Sequence, residues 1–163
     1  MAQEHSFDIV SKIDWQEVSN SVQIALKEIT NRFDFKHSRA EIIQEKDKLI
    51  LIAEDGTKLH SLIDVLEQKM VKRRIPLRAV QYQKVENGPN RTVKQEVHFQ
   101  VGIPIEKARE IVKLLKQQKF KAQASIQGDQ VRVFSPKIDT LQEVMAFLKG
   151  QDLAIHMEFA NYR

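Results

Sequence analysis

Residues 119–134, KFKAQASIQGDQVRVF, decide the reading of the fold. Ala122, Ala124 and Ile126 alternate with Lys121, Gln123, Ser125 and Gln127, and after Gly128 and Asp129 the apolar Val131 and Val133 alternate with Arg132 and Phe134. Alternation of period two, broken by a two-residue loop containing glycine, predicts a tight hairpin, because glycine supplies the positive φ of a primed turn. The register follows. Ile126 faces Val131 and Ala124 faces Val133 on one side, while Ser125 faces Arg132 and Gln123 faces Phe134 on the other. The first side is a core wall. The second offers Lys121, Gln123, Ser125, Gln127, Arg132 and Phe134, a set of amides, hydroxyl, cations and one ring that forms the candidate site.

Working outward, the same elements occur twice. A strand over 6–10 precedes Asp14, which with Glu17 three residues on makes an acidic capping box for a helix whose stripe is Val18, Val22, Ala25, Leu26 and Ile29. Strands follow over 39–44 and 48–53, then a helix from Gly56 carrying Leu59, Leu62, Ile63, Leu66 and Met70, then a strand over 76–82. Asn87, Gly88, Pro89 and Asn90 are the strongest turn signal near the middle, and they predict a boundary between repeats spanning 1–86 and 91–163. The second half reads as a strand over 93–101 with Val97, Phe99 and Val101 inward, then a helix after Pro104 bearing Ala108, Ile111, Val112 and Leu115. The hairpin comes next, followed by a helix bearing Leu141, Val144, Met145 and Leu148 that stops at Gly150, and a strand over 155–162. Leu49 and Leu51 match Val131 and Val133, and Leu66 matches Leu148, all at an offset of 82 positions. The order β-α-β-β-α-β, stated twice, is that of tandem ferredoxin-like domains, an α+β fold with helices on one face of each antiparallel sheet. Within the first repeat, KLILIA over 48–53 is apolar on both faces, so Ile50 and Ile52 are expected to be covered as well as Leu49 and Leu51. An exposed Arg132 on the opposite repeat's polar face would be replaceable by alanine with little loss of stability.

Composition narrows the chemistry. The chain has a formal charge of +4 and a pI near 9.3, which favours an anionic partner. No acid interrupts Lys69, Lys72, Arg73, Arg74 and Arg78, and Lys107 to Lys121 holds six basic residues against Glu110. At the end of a helix such cations also complement the dipole. There is no cysteine, which excludes disulfides, thiolate metal sites and thiol nucleophiles. No apolar run approaches a membrane span and no signal sequence is evident, so a cytoplasmic location is expected. The five histidines are scattered without HExxH spacing, and neither a nucleophile elbow nor a Walker loop is present. No enzyme, cofactor or metal is therefore expected. Sheet faces of this fold in RNA-recognition domains stack bases on aromatic residues, but Phe134 alone is a clear candidate here. An RNA or protein adaptor using the basic patches is the competing expectation.

The segments SFDIVSKID, RFDF, IVKLLKQQKFKAQASIQGDQVRV and FANYR resemble the YajQ family of bacterial proteins over essentially the whole chain. That resemblance implies two ferredoxin-like domains whose first strands are exchanged, a cytosolic nucleotide-binding protein, and, as in some relatives, a cyclic-di-GMP effector touching transcription. It implies no catalytic residues. With the strands exchanged, His98 and Gln100 leave the candidate face and residues 6–10 take their place. The expected ligand is a nucleotide or cyclic dinucleotide on Lys121, Gln123, Ser125, Gln127, Arg132 and Phe134, with Arg32 of RFDF as an extra phosphate contact and Arg163 as a further cation.

Overall fold

The computed structural model describes residues 4–163, and the patterned segments form the elements expected of them. The order is β1 (His5–Val10), α1 (Trp15–Asn31), β2 (Ala40–Gln44), β3 (Lys48–Ala53), α2 (Gly56–Lys72), β4 (Val80–Tyr82) and a two-residue β5 (Glu86–Asn87). It continues with β6 (Val93–Phe99), α3 (Ile105–Gln117), β7 (Gln123–Gln127), β8 (Gln130–Ser135), α4 (Ile138–Lys149) and β9 (Glu158–Ala160). Local chemistry accounts for the boundaries. Asp14 caps α1 by accepting from the N–H groups of Gln16 and Glu17, and Asp55 caps α2 by accepting from Lys58. The return half of the expected capping box does not form, because the Glu17 carboxylate accepts from Asn20 instead. Only Val80–Tyr82 of 76–82 and Glu158–Ala160 of 155–162 become strand, and β6 ends at Phe99. Val101, expected inward, is 57% exposed, since the chain has already left the sheet and turns at Gly102 with φ of 79°.

Two antiparallel sheets result. One has the order β7-β8-β1-β9; the other has β2-β3-β6-β4, with β5 also paired to β6. Each follows the ferredoxin-like order, but the strand that opens each repeat sits in the sheet of the other: β1 lies between β8 and β9, and β6 lies between β3 and β4. The two compact units follow sheet membership. One contains the residues up to Lys12 together with Gln100–Arg163, and the other is Ile13–Phe99. The turn over 87–90 lies inside the second unit, where it feeds the chain into β6.

Each sheet carries its helices on one face. In the β1 unit, Phe7, Ile9, Val131, Val133, Ala108, Ile111, Leu115, Leu141, Val144 and Leu148 form a single core. Phe7 and Ile9 are fully buried there, and side chains of that size contribute roughly 1.5–3 kcal/mol each on burial. The β6 unit is built alike, with Leu49, Leu51 and Val97 of the sheet against Val18, Val22, Leu62 and Leu66 of α1 and α2. Ile52 is only 5% exposed although it points away from that core, and Ile50 is half-buried, so β3 is covered on both sides as its composition requires.

Candidate functional site

The hairpin register is the one read from alternation: Gln123 opposite Phe134, Ala124 opposite Val133, Ser125 opposite Arg132, Ile126 opposite Val131 and Gln127 opposite Gln130. Of the two loop residues only Gly128 has positive φ, 61°, the requirement of a type II′ turn with glycine first. Ala124, Ile126, Val131 and Val133 belong to the core side. Gln123, Ser125, Gln127, Arg132 and Phe134 consequently share the helix-free face of the sheet. Lys121 precedes β7 and is exposed.

Strand β1 completes this face. Its pairing with β8 sets Ser6 opposite Phe134 and Asp8 opposite Arg132, and its pairing with β9 sets Asp8 opposite Ala160. Asp8 is 1% exposed, and an isolated carboxylate so placed would be strongly disfavoured. It is fully engaged instead. Arg132 Nε donates to one oxygen at 2.8 Å and Nη2 to the other at 3.4 Å, while Asn161 Nδ2 donates to that second oxygen at 2.8 Å. Arg132, then Asn161 and the more distant charge of Arg163, hold the Asp8 carboxyl below the usual range against the opposing effect of burial. Arg132 is held in its charged form by the same contact.

This changes the reading of Arg132. It was expected as a free cation on an exposed strand; it is the partner of a buried carboxylate, with its side chain only 21% exposed. The pairing orients the guanidinium rather than consuming it, because two of its five N–H groups serve Asp8 and the remaining three stay available to another acceptor. Phe134, half-buried, is the next residue along the same face toward Ser6 and Gln123. Arg163 joins the site through its backbone: its N–H donates to the carbonyl of Ser6 at 3.0 Å and its carbonyl accepts from Ser6 at 3.3 Å.

Arg32 stands apart. It belongs to the β6 unit, where its guanidinium donates to both oxygens of Asp34 at 2.9 and 2.7 Å and lies over the ring of Phe35. His98 likewise lies in the β6 unit, against Glu96 at 3.1 Å. Gln100 is buried, and its amide clasps the backbone of His156 at 2.9 Å in both directions. A groove of about 570 Å³ along α2, lined by Asp64, Glu67, Gln68, Val71, Lys72 and Leu77, carries two carboxylates that disfavour a phosphate. Nearby cations at the end of α2 are also engaged, Lys69 with Glu28 at 2.8 Å and Arg73 with Glu17 at 3.7 Å. Sequence reasoning missed Asp8 and Asn161. The signal for Asp8 was a lone acid in an otherwise apolar strand, FDIV, and it acquires meaning only once β1 is placed beside β8; Asn161 carried no such signal.

Among the described residues no group of His, Asp and Glu is arranged to hold a metal ion, and no helix is long and apolar enough to cross a membrane. Fold and face together define a class: a tandem ferredoxin-like chain with exchanged opening strands and a polar sheet face that carries an oriented arginine beside an aromatic ring. Comparison with known proteins gives the family. The family model described as nucleotide-binding protein YajQ-like matches residues 5–163, and the chain belongs to the YajQ family. A protein named nucleotide-binding protein from Koribacter versatilis (strain Ellin345) is 52% identical over 98% of both chains. Another of that name from Desulfitobacterium hafniense (strain DSM 10664 / DCB-2) is 50% identical over the full length of both, and one from Solibacter usitatus (strain Ellin6076) is 51% identical over 98% of both.

Proposed function

We propose that this chain is a non-enzymatic nucleotide-binding protein whose ligand lies on the helix-free face of the β7-β8-β1-β9 sheet. The observation that carries the reading is the Asp8–Arg132 pair: a buried carboxylate fixes a guanidinium on a sheet face, next to a ring, with donors to spare. A fixed guanidinium binds the oxygens of a phosphate, or the acceptor edge of a guanine, with little loss of side-chain entropy. Phe134 stacks the base. Gln123 hydrogen-bonds its edge, while Ser125, Gln127 and Lys121 contact ribose and phosphate along β7. Arg163 adds positive potential beside Asp8, and Arg32, engaged with Asp34, is left out of the assignment. The names carried by the relatives support a nucleotide as the ligand class.

A cyclic dinucleotide such as cyclic-di-GMP suits the face because it joins two bases and two phosphates in one rigid ligand, and binding it would make the protein a regulatory effector in the cytoplasm. Calorimetric titration with ATP, GTP, cyclic-di-GMP and a short single-stranded RNA tests the reading. Saturable binding of a free nucleotide, with amide shift changes concentrated on β7, β8 and β1, is the expected result. Binding of RNA alone, with a steep salt dependence, would instead favour the adaptor reading based on the basic patches.

A further inference from the structure

Strand β7 is an open edge. It terminates the order β7-β8-β1-β9, and among the described residues no strand pairs with its outer side. In a hairpin closed by two residues, Gln127 and Gln130 exchange both backbone bonds, so by alternation Ser125 with Arg132 and Gln123 with Phe134 do the same. Ala124 and Ile126 therefore turn their N–H and C=O groups outward, and no backbone partner reaches them there. Edge strands are commonly protected by proline, bulges or charge. The segment QASIQ has none of these, and its five-pair register is unbroken. The opposite edge, β9, is three residues long and carries Glu158.

The charge over residues 113–121, from the C-terminal half of α3 to the start of β7, is of one sign. Helix α3 packs against β7, and Lys113, Lys116, Lys119 and Lys121 are exposed across a run of nine residues that holds no acid. Among the described residues none of the four takes part in an ion pair, and the pair found on α3 is Lys107 with Glu110. Four like charges oppose the approach of the same edge from a second copy, and they attract an acidic strand. Uncharged backbone donors and acceptors framed by lysines match an extended acidic peptide, which gains main-chain bonds from β7 and Coulomb attraction from α3.

We propose that β7 is a docking edge for an extended acidic segment of a partner protein, added to the sheet as a further strand outside the hairpin. Its outward groups lie in the plane of the sheet, so of the residues invoked only Lys121 is shared with the nucleotide face, and the docking edge does not depend on that assignment. The probe is a short capped peptide of alternating glutamate and valine added to the full-length, isotope-labelled chain. Amide exchange of Ala124 and Ile126 should slow by about tenfold or more, while Ser125, already bonded inward, should change little. Ala124→Pro removes one outward N–H and leaves the inner ladder intact, so it should fold and weaken peptide binding by about tenfold or more. Lys113→Glu with Lys116→Glu should weaken it comparably whether or not the proline variant folds. Four results would overturn the proposal: no slowing at Ala124 and Ile126; equal binding of a lysine-valine peptide; protection of both amides without peptide, in a chain that sediments as a dimer; or a uridine oligonucleotide displacing the peptide while binding Ala124→Pro and native protein alike.

Discussion

Arg132 and Asp8 are 124 residues apart in sequence and adjacent in the sheet, and their contact alters what each can be expected to do. Truncating Arg132 leaves a carboxylate that is 1% exposed with Asn161 as its remaining close donor. Arg132→Ala should therefore lower the thermal midpoint by roughly 5 °C or more, unlike an ordinary surface change, and scanning calorimetry would show it. Acid has a related effect. A carboxyl held below its unfolded value contributes stability that is fully present above about pH 4 and is lost as pH falls through the lowered value. Asp8 behaves so in the β1 unit, and Glu96 in the β6 unit, where Lys48 and then His98 lower it to about 2. Asp8→Asn should flatten part of the decline in thermal midpoint between about pH 4 and pH 2, leaving the shares due to Glu96 and to Glu28 and Asp34, which Lys69 and Arg32 also hold below the usual range. A midpoint that falls as steeply in the variant as in the native chain would contradict this. The position of Arg132 on the polar face was legible from alternation alone. Its partner was not, because nothing local to FDIV or VRVF says that the two strands meet.

At the scale of elements, the hairpin and the Asp14 cap were legible because their chemistry is local, whereas the Asp55 cap of α2 was found only in the structure. Two-residue loops fix register, and a carboxylate four residues ahead of the first residue of a helical stripe finds the free N–H groups of the first turn. Elements whose ends depend on tertiary context were read too long, β6 and Val101 being the clearest case. There Gly102 leaves the sheet at φ 79°, its N–H bonding Ser11 and the next N–H bonding Asp129 in the hairpin loop. A Cβ added at Gly102 would lie 2.6 Å from the Cβ of Asp129, whereas one added at Gly128 would meet nothing within 4 Å. Gly128→Ala should thus cost only the strain of positive φ, about 1 kcal/mol. Gly102→Ala adds overpacking to the same strain and should cost about 2 kcal/mol or more, as measured by denaturant unfolding. Equal losses would mean that the loop yields freely at Asp129. Asp14→Ala tests the cap of α1 and should cost about 1 kcal/mol.

At the scale of the whole molecule, the repeat was visible in the offset of 82 positions, and the exchange of opening strands was not visible in residue pattern. A strand of suitable alternation satisfies either sheet, so FDIV and VHF carry no address of their own. The family resemblance supplied that expectation, and the pairings of β1 and β6 establish it. The consequence is testable by fragments. Residues 13–99 contain every strand of one sheet and should give cooperative unfolding by circular dichroism. Residues 91–163 lack β1, an interior strand of the other sheet, and should not fold alone. Folding of the latter fragment would show that β1 is dispensable to that sheet.

Binding of a nucleotide to the face shared by Arg132 and Phe134 is put to the sharpest test by Phe134→Leu. Leucine keeps apolar volume at a half-buried position and removes only the stacking surface. Because base stacking on an aromatic side chain is worth about 1–3 kcal/mol, calorimetric titration with the nucleotide that the native chain binds should show affinity reduced by about tenfold or more. The thermal midpoint should be nearly unchanged. Native affinity in a well-folded Phe134→Leu protein would place the ligand elsewhere.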